Sequence, residues 1–239
     1  MSGAIASRAF DTSNPGMPES QWSDWTSQAP EWIPPTGELI VVAPHPDDET
    51  LGAGGLIFTC SRRDMKVTVI CITDGEAACP EIPALAAVRR GELVSAMHEL
   101  GLAQSDIRCL GMPDGKLADR EADLAKLLAD CIPAGAIVVA PFESDGHADH
   151  EAAARACRSA ARAKQLSLVR YPIWAWHRGS PELLMERRAV RFTLDASARR
   201  AKGRAVSQFR SQTGERPGGP IVPAHVLHYF NRPYELFLL

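Results

Sequence analysis

A three-layer, Rossmann-like α/β fold, a mostly parallel sheet with helices on both faces, is predicted by three features of this 239-residue sequence. Short runs rich in Val and Ile alternate with longer stretches whose apolar residues recur at helical spacing. The Val and Ile runs lack polar alternation, as strands buried on both faces do. Strand, helix, strand order favours parallel neighbours joined through covering helices.

Strands are predicted over 38–43, 66–73, 106–110, 136–141, 167–173, 189–193 and 234–238. Helices are predicted over 51–63, 83–100, 120–131, 149–164 and 197–210, from patterns such as Leu93, Met97 and Leu100 or Leu124, Leu127 and Leu128. Residues 1–36 carry Trp22, Trp25 and Trp32 among prolines and polar residues, and are read as an irregular N-terminal arm whose tryptophans pack on the domain surface. Residues 37–239 are read as a single α/β domain, long enough to bury a substantial core.

Composition excludes some partners and favours a compartment. A formal charge of −3 gives no overall pull toward nucleic acid or anionic membrane. No apolar run is long enough to span a bilayer, and the first residues lack the basic and apolar regions of a secretory signal. The six cysteines form no Cys-x-x-Cys pair and read as reduced core residues. A cytoplasmic protein is therefore expected, with homo-oligomerisation left open.

In a parallel α/β sheet, ligands bind beyond the carboxyl ends of the strands. The chemically unusual residues sit there: His45 to Glu49 after the first strand, Asp74 to Glu76 after the second, Asp114 after the third, and Glu143 to His150 after the fourth. Three carboxylates behind a buried strand repel one another unless a cation or hydrogen bonds compensate them. An imidazole and a carboxylate from one loop, joined by an imidazole from another, make a three-ligand set with an open position, the form of catalytic zinc sites. His45 and Asp48 supply the first loop's share. Spacing leaves open whether His147 or His150 completes the set, and whether Asp47 or Glu49 is the spare carboxylate that takes a proton from water.

Ala43-Pro44-His45-Pro46-Asp47-Asp48-Glu49 with His147-Ala148-Asp149-His150 resembles the LmbE-like, or PIG-L, family of zinc-dependent N-deacetylases. The resemblance runs from about Gly37 through Lys164. It implies that His45, Asp48 and His150 bind zinc, with ferrous iron also compatible with two His and one carboxylate. It implies that Asp47 is the general base, that His147 is a protonated group stabilising the oxyanion, and that Asp149 orients His147 and keeps its pKa high. It further implies that Arg89 and Asp114 bind substrate, a small-molecule sugar or glycoconjugate of N-acetylglucosaminyl type. Ala148 replaces a proline common in the family, and Asp145 stands where some relatives carry an aromatic residue. Two other readings are a conjugate amidase cutting a larger acyl group, and a non-catalytic module binding metal or a nucleotide sugar.

Other residues are assigned by their settings. Gly52, Gly54 and Gly55 fit neither the dinucleotide fingerprint nor the Walker pattern, so close helix-sheet packing is expected. Trp174, Trp176 and His177 follow the fifth strand, where they either stack on substrate or pack. The basic run Arg199, Arg200, Lys202, Arg204 and Arg210 is read as a solvated helix face, and His225 and His228 as structural or rim residues.

Overall fold

The computed structural model describes residues 12, 14–185, 187–214 and 219–239. The strands are β1 (Leu39–Ala43), β2 (Val67–Thr73), β3 (Ile107–Met112), β4 (Ile137–Pro141), β5 (Ser167–Tyr171), β6 (Ala189–Thr193) and β7 (Tyr234–Leu238). The helices are α1 (Glu19–Thr26), α2 (Asp48–Ser61), α3 (Leu85–Glu99), α4 (Glu121–Cys131), α5 (Ala148–Lys164), α6 (Ala175–Arg178), α7 (Pro181–Met185), α8 (Ala196–Val206), α9 (Arg210–Thr213) and α10 (Ala224–Leu227).

The seven strands form one sheet in the order β3-β2-β1-β4-β5-β7-β6. From β3 to β5 every pairing is parallel, while β7 runs antiparallel to both β5 and β6. The strand β1 pairs in register with β2 from Leu39↔Val67 to Ala43↔Cys71, and with β4 from Leu39↔Ile137 to Val41↔Val139. The strand order reverses between β1 and β4, with β2 and β3 added on one side and β5 on the other, and such a switch point opens a crevice at the strands' carboxyl ends.

Each face of the sheet carries its own core. On one, Leu56, Leu93, Met97 and Ala201 bring α2, α3 and α8 together; on the other, Leu124, Leu128, Ala153 and Cys157 seat α4 and α5. Close approach of α2 depends on glycine: a Cβ at Gly52 would run into the Tyr171 ring, and one at Gly55 into Leu194. The expected packing role of these glycines is thus what the structure shows.

Deep in the same face, Glu235 of β7 accepts the backbone N–H groups of Gly55 (2.7 Å) and Leu56 (2.9 Å). Lys202 of α8 donates to the Leu51 carbonyl at 2.7 Å and to Glu235 at 2.8 Å. Side chains from the C-terminal half therefore meet backbone groups in the middle of α2. Lys202 departs from the solvated face expected for its basic run, because it is spent on this buried pair; Arg204 stays outside, paired with Glu99 at 2.6 Å.

Three local expectations are corrected. The arm is not irregular throughout, since α1 forms within it. Trp22 is fully buried, donates from Nε1 to the Trp176 carbonyl at 3.0 Å and meets the Trp176 ring edge-on at 4.9 Å, so tertiary burial holds this short helix. The helix expected over 197–210 stops at Val206, where the chain turns to bury Phe209 before α9. Cys109 is exposed on the edge strand β3, whereas Cys60, Cys71, Cys79 and Cys157 are buried and unbridged. Among the described residues no helix is long and apolar enough to cross a membrane.

Candidate active site

Where β1 ends, the chain turns through His45, Pro46 and Asp47 into α2. The turn is closed by the His45 N–H donating to Asp48 Oδ2 at 3.0 Å and the Asp48 N–H to the His45 carbonyl at 3.3 Å. Asp47 stands at the N-cap of α2 with φ 138°, a conformation non-glycine residues rarely adopt and one that costs about 1–3 kcal/mol. Neighbours hold it there: its N–H donates to Glu49 Oε2 at 3.2 Å, and its carboxylate faces Arg89 Nη2 at 3.4 Å.

Asp48 Oδ2 lies 3.2 Å from His45 Nδ1 and 3.3 Å from His150 Nε2. Ligand atoms of His45, Asp48 and His150 all fall within 4.8 Å of one another in a buried setting, a His-His-Asp triad able to hold a metal. Each remote ring nitrogen meets a carboxylate, as metal-bound imidazoles require. His45 Nε2 faces Asp114 Oδ1 at 3.1 Å and Asp149 Oδ2 at 3.4 Å, and His150 Nδ1 faces Asp145 Oδ2 at 2.8 Å. Both ring nitrogens of buried His150 lack a well-directed hydrogen bond among the described residues, and Nε2, on the Asp48 side, is the one a metal ion would take in place of its proton.

A second set, His45, His147 and Asp149, is also close enough to hold an ion. Its donors are otherwise engaged. His147 Nδ1 accepts the Asp149 N–H at 3.2 Å, capping α5, and the Asp149 carboxylate accepts the N–H groups of Gly115 (2.7 Å) and Leu117 (3.1 Å). The first set, by contrast, includes His150 Nε2, which makes no well-directed hydrogen bond among the described residues.

Burial and mutual charge set the protonation states of the metal-free cluster. Burial alone would lower the His150 pKa, but Asp48 and Asp145 outweigh it and raise it to about 9. The same carboxylate chemistry, from Asp114, Asp149 and Asp48, overcomes burial at His45 and raises it well above the usual range. Asp48 is the counter-charge: burial would raise it, yet His150 and His45 hold it far below an ordinary carboxylate. Asp47 is pushed up to about 7, by burial first, with Arg89 opposing and Asp48 adding. Glu49 reaches about 8, again by burial, and accepts from the Thr50 hydroxyl at 2.6 Å. Near neutrality Glu49 is therefore largely a neutral acid.

His147 differs from the expected protonated residue. Burial first, then the positive charges of His150 and His45, depress its pKa to about 3. The Asp149 carboxylate that was to raise it is turned toward His45 and the loop after β3. Because Nδ1 accepts a backbone N–H, neutral His147 carries its proton on Nε2 and can still donate.

The expected substrate contacts also serve the protein itself. Arg89 is buried, donating to the carbonyls of Gly75 (3.1 Å) and Pro46 (2.8 Å) beside its contact with Asp47. Asp114 accepts the Ala77 N–H at 2.9 Å, while its own N–H donates to Glu76 at 3.1 Å, so the loops after β2 and β3 brace each other.

Both residues line a cavity of about 400 Å³ together with His45, Asp47, Asp48 and His147. Trp174 lines it too, whereas Trp176 packs under Arg232, 4.0 Å from the guanidinium carbon to the ring centre. His177 Nε2 donates to the Asn14 carbonyl at 2.7 Å and His225 Nε2 to the Thr12 carbonyl at 2.9 Å, so His225 ties down the N-terminal segment.

Sequence reasoning noted Asp145 only as a departure from its relatives and gave it no role. It is wholly buried and accepts three backbone N–H groups, from Ile173, Trp174 and Ala175, at 2.9–3.0 Å while facing His150. The available signal was an acid five residues before a motif histidine at a strand end.

Residues 40–161, just over half of the chain, match the family described as PIG-L: GlcNAc-PI de-N-acetylase. The chain belongs to the PIG-L family. Among PIG-L-like relatives, a Bacillus subtilis (strain 168) protein described as probable N-acetyl-alpha-D-glucosaminyl L-malate deacetylase 2 is 31% identical over 62% of this chain and 72% of its own. The A40926 pseudoaglycone deacetylase Dbv21 shares the fold at TM-score 0.64, with 22% identity over 84% of this chain and 95% of that one. GalB of Pseudomonas putida KT2440, a 4-carboxy-2-hydroxymuconate hydratase, also shares it, at TM-score 0.60 and 18% identity over 82% of this chain and 84% of that one. Because a hydratase and a deacetylase share this PIG-L-like fold, the reaction must be argued from the site.

Proposed function

We propose that this chain is a zinc-dependent N-deacetylase of an N-acetylglucosaminyl sugar or conjugate, with the metal held by His45, Asp48 and His150. The observation that carries the reading is Asp47, a carboxylate outside the ligand set, held in a strained turn beside the triad and facing Arg89. A metal-binding module has no use for such a base. The name of the Bacillus subtilis relative supports the sugar class.

Bound there, zinc would supply Lewis acidity to an amide carbonyl and acidify water toward a pKa of about 7. Asp47 takes the proton of the attacking water and returns it to the departing amine. His147, whose Nδ1 accepts the Asp149 N–H, presents its Nε2 proton to the oxyanion as the tetrahedral state forms. Asp114 and Asp149 hold His45, and Asp145 holds His150, in the orientations binding requires. Arg89 positions Asp47 by donating to the carbonyls of Pro46 and Gly75, in the loops after β1 and β2, as well as to the Asp47 carboxylate. The products are acetate and a free amino sugar.

The test combines metal analysis with amine release from N-acetylglucosamine derivatives. Asp47→Ala should keep its zinc and lose at least about 100-fold in kcat, the scale of a general base, whereas His45→Ala should lose both. A fully active Asp47→Ala protein would refute the assignment.

A further inference from the structure

Midway along α2, the helix backbone is served by two charged side chains that take no part in the reaction. In an unbroken helix the Gly55 N–H donates to the Leu51 carbonyl and the Leu56 N–H to that of Gly52. Here Glu235 of β7 accepts from Gly55 at 2.7 Å and from Leu56 at 2.9 Å, and Lys202 of α8 donates to the Leu51 carbonyl at 2.7 Å. The two side chains pair at 2.8 Å and are only 5% (Lys202) and 4% (Glu235) exposed. Lys202 therefore serves the first turn of α2 as a cap serves a helix end, and Glu235 serves the turns that follow.

That first turn carries the site. Asp47 is its N-cap and Asp48 its first residue. The N–H groups of Thr50 and Leu51 donate to the Asp47 carbonyl at 3.0 and 2.9 Å, so Leu51 is bonded to Asp47 through its N–H and to Lys202 through its carbonyl. The Asp47 φ of 138° persists only where its surroundings hold it. Glu49 and Arg89 hold Asp47 itself, and Lys202 holds the other end of its turn.

Packing alone does not account for the pair. Two charges lose hydration on burial, and apolar residues of similar volume in their place are often neutral or stabilising. Apolar residues cannot supply directed bonds to Leu51, Gly55 and Leu56.

We propose that Lys202 and Glu235 are positioning residues for Asp48 and Asp47, fixing the first turn of α2 so that Asp48 Oδ2 stands 3.2 Å from His45 Nδ1 and 3.3 Å from His150 Nε2. This rests on the metal site proposed above and deepens it by naming what sets its ligand turn. Both residues lie outside the family-matched segment 40–161.

The full-length double variant Lys202→Met, Glu235→Leu is compared with wild type in three measurements. These are denaturant unfolding, zinc competition with a chromophoric chelator, and visible absorption after cobalt(II) loading, which follows ligand geometry. The variant leaves Gly55 N–H and the Leu51 carbonyl to each other, so its unfolding midpoint should match or exceed that of wild type. Its zinc dissociation constant should nevertheless rise about 10-fold or more, the scale of a lost supporting partner, and its cobalt bands should shift. Wild-type affinity and bands would overturn the inference whatever the midpoint, and so would weaker zinc binding with unchanged bands, the mark of general loosening. Should the double variant not fold, Glu235→Gln, which keeps the shape and one accepting oxygen, decides by the same affinity and bands. A wild type that binds zinc but releases no amine from any acetamide sinks the deacetylase reading and leaves this inference standing; an active wild type with an unaltered variant sinks this inference alone.

Discussion

Asp145→Asn replaces one carboxylate oxygen by an amide donor at a wholly buried position. Oδ1 now accepts from Ile173 and Ala175, and Oδ2 accepts from Trp174 while facing His150 Nδ1 at 2.8 Å. Placing the new NH2 at Oδ1 strands two backbone donors, whereas placing it at Oδ2 strands only that of Trp174. The second arrangement costs less, because each unsatisfied buried group is worth about 1–3 kcal/mol. It turns a donor toward His150 Nδ1, so that nitrogen must accept and the ring proton moves to Nε2. Nε2 is the atom 3.3 Å from Asp48 that the metal would need. Loss of such a supporting carboxylate lowers metal affinity about 10–100-fold, or about 1.4–2.7 kcal/mol. Competition with a chromophoric chelator measures the affinity, and denaturant unfolding of the metal-free protein measures the stability, expected to fall by about 1–3 kcal/mol. If stability falls with metal affinity unchanged, Asp145 is a loop clamp only and the tautomer argument is wrong.

Glu49→Gln should remove a pH dependence from the metal-free protein. With its folded pKa raised from the ordinary 4.5 to about 8, Glu49 binds a proton in the folded state that the unfolded chain releases. Its contribution therefore favours folding below about 4.5 and is lost as pH rises to 8, with a ceiling of about 5 kcal/mol. Denaturant midpoints across that range should slope more steeply for wild type than for Glu49→Gln, and parallel curves would refute the buried neutral acid. Gly52→Ala should destabilise by about 1–3 kcal/mol through overpacking. The Tyr171 ring it would strike cannot retreat, since its hydroxyl donates to the Val42 carbonyl at 2.8 Å. Gly91→Ala on the exposed face of α3, with nothing within 4 Å of its added Cβ, should instead stabilise by up to about 1 kcal/mol. Thermal unfolding of the pair checks both signs; equal shifts would remove the packing account.

The sequence by itself determined the mostly parallel α/β class and where chemistry would gather, while the strand order and the antiparallel β7 emerged only in the fold. Strand and helix periods are local, so Leu39 to Ala43 read as a buried strand without knowledge of their neighbours. The acids and histidines after the strands then pointed to one rim, because a parallel sheet sends those ends the same way. Even the packing of Gly52 and Gly55 was legible, since their spacing fits no phosphate loop. Other features needed chain brought together from far away. Only the parallel pairing of β1 with β4 sets His150, and not His147, against Asp48 with an uncommitted nitrogen. Burial, which no local pattern reports, made Glu49 a neutral acid and depressed His147. The helix in the arm depends on Trp22 reaching Trp176, more than 150 residues on. Tertiary structure alone decided Asp145: its neighbours in sequence mark it as a turn acid, and only the return of β5 brings three backbone donors and an imidazole to its oxygens.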